Sequence, residues 1–259
     1  MLGAIAGDVI GSVHEGLGTK STEFELFPPG ARFTDDTVLA IAVVDCLLTG
    51  MPYLDAFHEY VGAYPTARYG FRFYQWASAR NREPYNSFGN GSAMRVPPIG
   101  YAFEALDDVL AEAARSAEVT HNHPEGIKGA QATAAAVFMA RHGATKPDLK
   151  HSLERWFGYD LSARLDDLRP TYAFDVSCQG TVPAALVAFL DSHDYEDAVR
   201  KAVSLGGDAD TLACITGAVA EAHYGGVPPS IAAAALNALD DRLRSVVLRF
   251  CERYGIRAG

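Results

Sequence analysis

Apolar residues recur at three- and four-residue spacing through 3–13, 35–48, 53–63, 105–118, 125–142, 148–157, 181–191, 194–204, 210–223 and 239–254, the period of a helix. Strand-like alternation bounded by turn residues is scarce, so the pattern predicts an all-α chain. Segments 35–48 and 210–223 are apolar or small on every side, which marks them as central helices ringed by the others. The last segment, DDRLRSVVLRFCERYG, keeps its charges to one side and Leu243, Val246, Val247 and Phe250 to the other, as an outer helix does. Glycine and proline concentrate in 16–31, 81–98 and 169–180, connections long enough to bind something or to move. No internal repeat at a fixed period breaks the chain into units.

With 259 residues, 49% hydrophobic and 21% charged, the chain reads as one all-α domain over 1–259. A net charge of -10 excludes a broad basic surface for nucleic acid or anionic lipid. The N-terminus, MLGAIAGDVIGS, has no basic region, carries Asp8 in its apolar stretch and leads into no membrane-length span, so a cytoplasmic protein is expected, acting as a monomer. Cys46, Cys178, Cys214 and Cys251 are far apart and form no C-x-x-C pair, which reads as buried, reduced thiols.

Two acid clusters change the picture. Thr34-Asp35-Asp36-Thr37 opens the first apolar helix, with Thr34 a good N-cap and the acids at the positive end of the helix dipole. Gly206-Gly207-Asp208-Ala209-Asp210-Thr211 opens the second. Within a regular helix Asp208 and Asp210 would project about 200° apart, but a turn at the two glycines that leaves Asp208 outside the helix could aim both at one point. Each cluster alone is an ordinary helix start. Yet no Lys or Arg falls between Arg32 and Arg68, nor between Lys201 and Arg242, so four carboxylates on central helices lack local counter-ions. A distant arginine or a cation could supply the charge. Oxygen donors without Cys or His favour Mg²⁺, Mn²⁺ or Ca²⁺ over zinc, and the number of donors suits two ions sharing an aspartate.

Five stretches in this order, GAIAGDVIGSVHE, FTDDTVLAIAV, SFGNGSAMRV, THNHPEGIKGAQA and GGDADTLACITGAVAEAHYG, resemble the ADP-ribosylhydrolase family that includes the dinitrogenase reductase activating glycohydrolase. The resemblance spans 3–225 and implies an all-α fold, a compact single-domain orthogonal helical bundle with a binuclear Mg²⁺ or Mn²⁺ centre at the bottom of a central metal-binding cleft. It places the metal ligands on Thr34, Asp35, Asp36, Asp208, Asp210 and Thr211, with Asp210 as the bridge, and Glu15 beside the metals. The expected reaction is cleavage of the bond between ADP-ribose and a nitrogen or oxygen of a modified protein side chain or a small conjugate. Most glycosidases use two carboxylates for such an oxocarbenium-like passage. Here ions would replace part of that machinery, gripping ribose hydroxyls and lowering the pKa of the attacking water from about 15.7 toward about 7. Glu15 would position or deprotonate that water, or gate the metals; with Asp35 and Asp210 it makes up the expected catalytic set.

Ser87-Phe88-Gly89-Asn90-Gly91 resembles the family's ADP-ribose loop, its glycines admitting a diphosphate and Phe88 stacking on adenine, although Asn90-Gly91 is also a plain turn signal. His121 matches a family histidine near the ligand, and Pro124 suits the first position of a helix whose N-terminus can take a phosphate. His121-Asn122-His123 as a metal site is disfavoured beside such oxygen clusters. Two alternatives stay open: another binuclear hydrolase, such as a phosphoesterase, and a non-catalytic ADP-ribose-binding protein of the same fold.

Overall fold

The computed structural model describes residues 1–16 and 18–257; Leu17, Ala258 and Gly259, part of the domain read as 1–259, lie outside the described residues. The chain runs α1 (Leu2–Gly11), α2 (Asp35–Thr49), α3 (Tyr53–Ala63), α4 (Phe71–Ser78), α5 (Gly91–Met94), α6 (Ile99–Ala102), α7 (Leu106–Glu118) and α8 (Pro124–Arg141). It continues through α9 (Lys146–Phe157), α10 (Leu165–Leu168), α11 (Cys178–Asp191), α12 (Tyr195–Val203), α13 (Ala209–Tyr224), α14 (Pro229–Asn237) and α15 (Asp241–Tyr254). All ten segments read from the period are present. The five additional helices are short or, like the alanine run of α14, too uniform to show a period.

The largest shift at a helix start concerns α11. The apolar period places its start at 181. The helix instead begins at Cys178, where the Ser177 hydroxyl accepts from the Gly180 N–H at 3.1 Å, and Pro183 sits inside it.

Helices α2 and α13 are central, as their all-round apolar character requires: α13 is buried from Ala209 through Glu221 and α2 from Asp36 through Val44. A third helix, α1, is buried along its entire length. It reaches the centre through Gly3, Gly7 and Gly11, spaced four apart on one face. A Cβ at Gly7 would lie 2.1 Å from the Ala213 carbonyl oxygen, and one at Gly3 would lie 2.2 Å from that of Gly217. At the other end a Cβ on Gly11 would stand 2.5 Å from the Asp210 Cα. Backbone therefore touches backbone along α1 and α13, and the C-terminal end of α1 meets the N-terminal ends of α13 and α2.

Among the described residues the one piece of extended pairing is an isolated bridge between Gly89 and Ser177. Around it Asn90 N–H donates to the Val176 carbonyl (2.7 Å) and Cys178 N–H to that of Phe88 (2.8 Å). This clip joins the loops read as 81–98 and 169–180 into one wall beside the ends of α2 and α13. No described helix is long and apolar enough to cross a membrane.

Candidate active site

A cleft of about 530 Å³ opens where these helix ends meet, a size that takes a small molecule. Its floor carries Glu15, Asp35, Asp36, Asp208, Asp210 and Thr211. Gly206 and Gly207 both adopt φ of 69°, the left-handed turn that stops Asp208 from joining the helix as a first-turn residue. Asp208 is the N-cap of α13, yet its carboxylate caps nothing and turns toward the cleft. One oxygen from each of Glu15, Asp208 and Asp210 then falls within 4.8 Å of the others. From α2, Asp36 comes to the same floor, where its Oδ1 accepts from the Thr211 hydroxyl at 3.3 Å, while its Oδ2 is buried without a hydrogen-bond partner.

Burial, before any other cause, raises the pKa of Asp35, Asp36 and Asp210 well above the carboxylate range. Their mutual repulsion adds to it, Asp208 acting on Asp35 and Asp210, and Asp210 acting on Asp36. Asp208 is raised as well, by burial against the hydrogen bond it receives from Asn90. Among the described residues none of these four acids has an ion-pair partner. A set of hard oxygen donors this close and this poorly neutralised fits divalent cations such as Mg²⁺ or Mn²⁺.

One acid named in the sequence was not assigned to the site. Asp8, on α1, is fully buried behind Thr34: it accepts from the Thr34 N–H (2.9 Å), the Thr34 hydroxyl (2.7 Å), the Thr37 N–H (3.2 Å) and the Thr37 hydroxyl. Thr34 is itself buried, caps α2 through the Asp36 N–H at 3.3 Å and does not line the cleft. The signal for Asp8 was in the chain, an acid flanked by apolar residues within a helix, the same oddity that drew attention to Asp35 and Asp36.

Glu15, among the acids of the floor, is a third exposed and receives Arg68 Nη1 at 3.1 Å. Its pKa is raised by burial first and by Asp208 next, with Arg68 pulling the other way. Arg68 also donates to the Ser12 carbonyl (3.0 Å) from a left-handed backbone at φ 67°, a conformation that costs a non-glycine residue about 1 kcal/mol or more.

The wall is built from the loop singled out in sequence, with altered roles. Ser87, Gly89, Asn90, Gly91 and His121 line the cleft. Phe88 does not; its ring packs on His123 at 5.3 Å and is half exposed. Phe71 and Phe174 are the exposed aromatics that line the cleft. Asn90-Gly91 forms the start of α5 and no hairpin turn. The Asn90 amide is committed, donating to Asp208 Oδ2 (2.6 Å) and Thr181 Oγ1 (3.0 Å). Pro124 opens α8 as expected, and His123 caps that helix by accepting from the Glu125 N–H at 3.1 Å.

Known proteins match the chain over nearly its whole length. A family model described as ADP-ribosylglycohydrolase matches residues 1–258. ADP-ribosylhydrolase ARH3 of Homo sapiens is 28% identical over 307 aligned positions, covering 87% of this chain and 84% of the relative. Those positions outnumber the residues of this chain, so the relative carries inserted segments. The ADP-ribosylarginine hydrolase Tri1 of Pseudomonas putida is 31% identical over 58% of this chain and 42% of its own length. A solved structure described as an ADP-ribosylglycohydrolase-related protein complex superposes with a TM-score of 0.72 at 29% identity, covering 97% and 96% of the two chains.

Proposed function

From its membership of the ADP-ribosylglycohydrolase family, in which the match over residues 1–258 places it, we propose that this protein hydrolyses the N- or O-glycosidic bond between ADP-ribose and a protein side chain or a small conjugate. The observation that carries the reading is the meeting of two acid clusters, from the starts of α2 and α13, on the floor of a cleft of about 530 Å³. Asp35, Asp36, Asp208 and Asp210, with the Thr211 hydroxyl, are the residues that would hold two Mg²⁺ or Mn²⁺ ions, while Thr34, whose hydroxyl is committed to Asp8, supports them from behind. Bound there, the ions would supply Lewis acidity and water of lowered pKa.

The chain's own groups do the rest. Positive charge develops at the ribose carbon in the transition state, and the acidic floor stabilises it. Glu15, at the rim of that floor with a raised pKa, takes a proton from the attacking water. The wall of Ser87, Gly89, Gly91 and His121 orients the diphosphate, and Phe71 and Phe174 offer flat faces to the base.

The test is release of ADP-ribose from arginine-, serine- and acetyl-linked substrates, with each metal. Asp35→Ala and Asp210→Ala should abolish it in protein that stays folded. Full activity after EDTA treatment would sink the metal requirement. Binding of ADP-ribose with no hydrolysis of any linkage would favour the non-catalytic alternative, and cleavage of phosphate esters alone would favour the phosphoesterase.

A further inference from the structure

Among the residues that line the cleft is a charged group that the proposed chemistry leaves unused. Arg95 is fully buried and pairs with no carboxylate among the described residues. Its guanidinium lies over the Phe57 ring at 4.4 Å, and its Nε and Nη1 have no hydrogen-bond partner. Nη2 is fully used, donating to the Ser116 carbonyl at 2.6 Å and to Thr120 Oγ1 at 3.1 Å. The same Thr120 oxygen lies 2.7 Å from His121 Nδ1.

We infer that Arg95 acts through Thr120 as a positioning residue that fixes His121 as the Nε2–H tautomer, so that the wall presents one uncharged N–H donor to an anionic oxygen in the cleft.

The donor count decides it. Arginine can only donate, so Thr120 must accept from it. If Nδ1 carried the proton, the Thr120 hydroxyl would accept from both neighbours and its own hydrogen would be left buried without an acceptor, a desolvation penalty that the other tautomer avoids. With Nδ1 bare, the hydroxyl donates to it, and both the Thr120 hydrogen and the Nδ1 lone pair find partners. Burial, Arg95 and Arg72 also hold the imidazole pKa well below its usual value, so the ring is neutral and carries a single proton. That proton is then on Nε2, which faces the loop: a Cβ on Gly91 would stand 3.3 Å from it, and one on Gly89 3.5 Å. The absent side chains leave this N–H open to the cleft. The identity of the anion as a diphosphate rests on the proposed function; the tautomer does not.

The full chain labelled with ¹⁵N-histidine, without ligand and at neutral pH, tests the relay by long-range ¹H–¹⁵N correlation, with His121 assigned from its loss in His121→Asn. Nδ1 should resonate as an unprotonated nitrogen and Nε2 as a protonated one. A protonated Nδ1, or an averaged pair, would overturn the inference. Thr120→Val and Arg95→Met should each mix the tautomers, while Thr120→Ser restores the wild-type pattern. An unchanged Nε2–H pattern in Arg95→Met would remove arginine from the relay and refute it; if that variant does not fold, an unchanged pattern in Thr120→Val refutes the relay at its central link. In a separate titration with ADP-ribose, Thr120→Val should bind about tenfold more weakly than wild type and Thr120→Ser within about twofold. A fixed tautomer in a protein that binds no ADP-ribose would support the relay and strike only the proposed substrate.

Discussion

Thr34 gives both its backbone N–H and its hydroxyl to the Asp8 carboxylate, at 2.9 and 2.7 Å, so the first turn of α2 hangs from the middle of α1. Asp8→Ala leaves these donors and those of Thr37 buried without an acceptor. We expect a loss of at least about 2 kcal/mol in stability, measured by urea unfolding, together with weaker Mg²⁺ or Mn²⁺ binding by calorimetry. Unchanged metal affinity would show that the Asp8 bonds serve folding alone.

The backbone contact of α1 with α13 predicts opposite outcomes for one substitution at two places. Gly7→Ala would put a Cβ 2.1 Å from the Ala213 carbonyl oxygen and should cost roughly 2–4 kcal/mol, because neither backbone can yield without moving the acid cluster. Gly62→Ala, exposed near the end of α3 with nothing within 4 Å, should be neutral or stabilise by up to about 1 kcal/mol. Thermal melts of the two variants check both.

Asp8, Asp35, Asp36, Asp208 and Asp210 all titrate above their ordinary value in the folded protein. Between the ordinary carboxylate pKa and these raised values the folded state binds more protons than the unfolded chain, so stability is fully present below that window and falls as pH rises through it. Metal-free protein should therefore melt at progressively lower temperature from about pH 4 upward so far as these groups dominate. Added Mg²⁺ or Mn²⁺, bound by the ionised form, should restore about 2.7 kcal/mol at a hundredfold excess over Kd, and more so at higher pH. Melting curves over a pH series with and without metal read this directly.

Arg68 opposes the rise in the Glu15 pKa through an ion pair at 3.1 Å. Arg68→Ala removes that opposition, so the Glu15 proton is held to higher pH. If Glu15 acts as the base, the acidic limb of the rate profile should move to higher pH, and Arg68→Lys should return most of it. A profile that does not move would assign Arg68 to the Ser12 carbonyl alone.

The fold was legible because helical period survives in long segments such as α2, α8 and α13, and the floor was legible because Asp35, Asp36, Asp208 and Asp210 lie inside apolar stretches without basic neighbours. Relationships between distant segments were not. Asp8 and Thr34 are 26 residues apart, and nothing local to either announces their bond. Asn90 looked like a turn residue because Asn-Gly favours turns, but its burial against Asp208, 118 residues away, overrides that preference. Phe88 looked like a stacking residue from its neighbours, yet the clip between Gly89 and Ser177 leaves its ring on His123. The glycine stripe of α1 was equally silent, since spacing four apart does not say which helix it will touch.

The Asn90 amide, held between Thr181 and Asp208, also sets how the two halves of the cleft respond to one another. A molecule that draws the 87–91 loop inward pulls on the same carboxylate that a cation on the floor would use. Occupancy of the wall and occupancy of the floor are thereby linked variables: by whatever factor the one changes the affinity of the other, the effect returns in equal measure, and Asn90→Ala should bring that factor toward one.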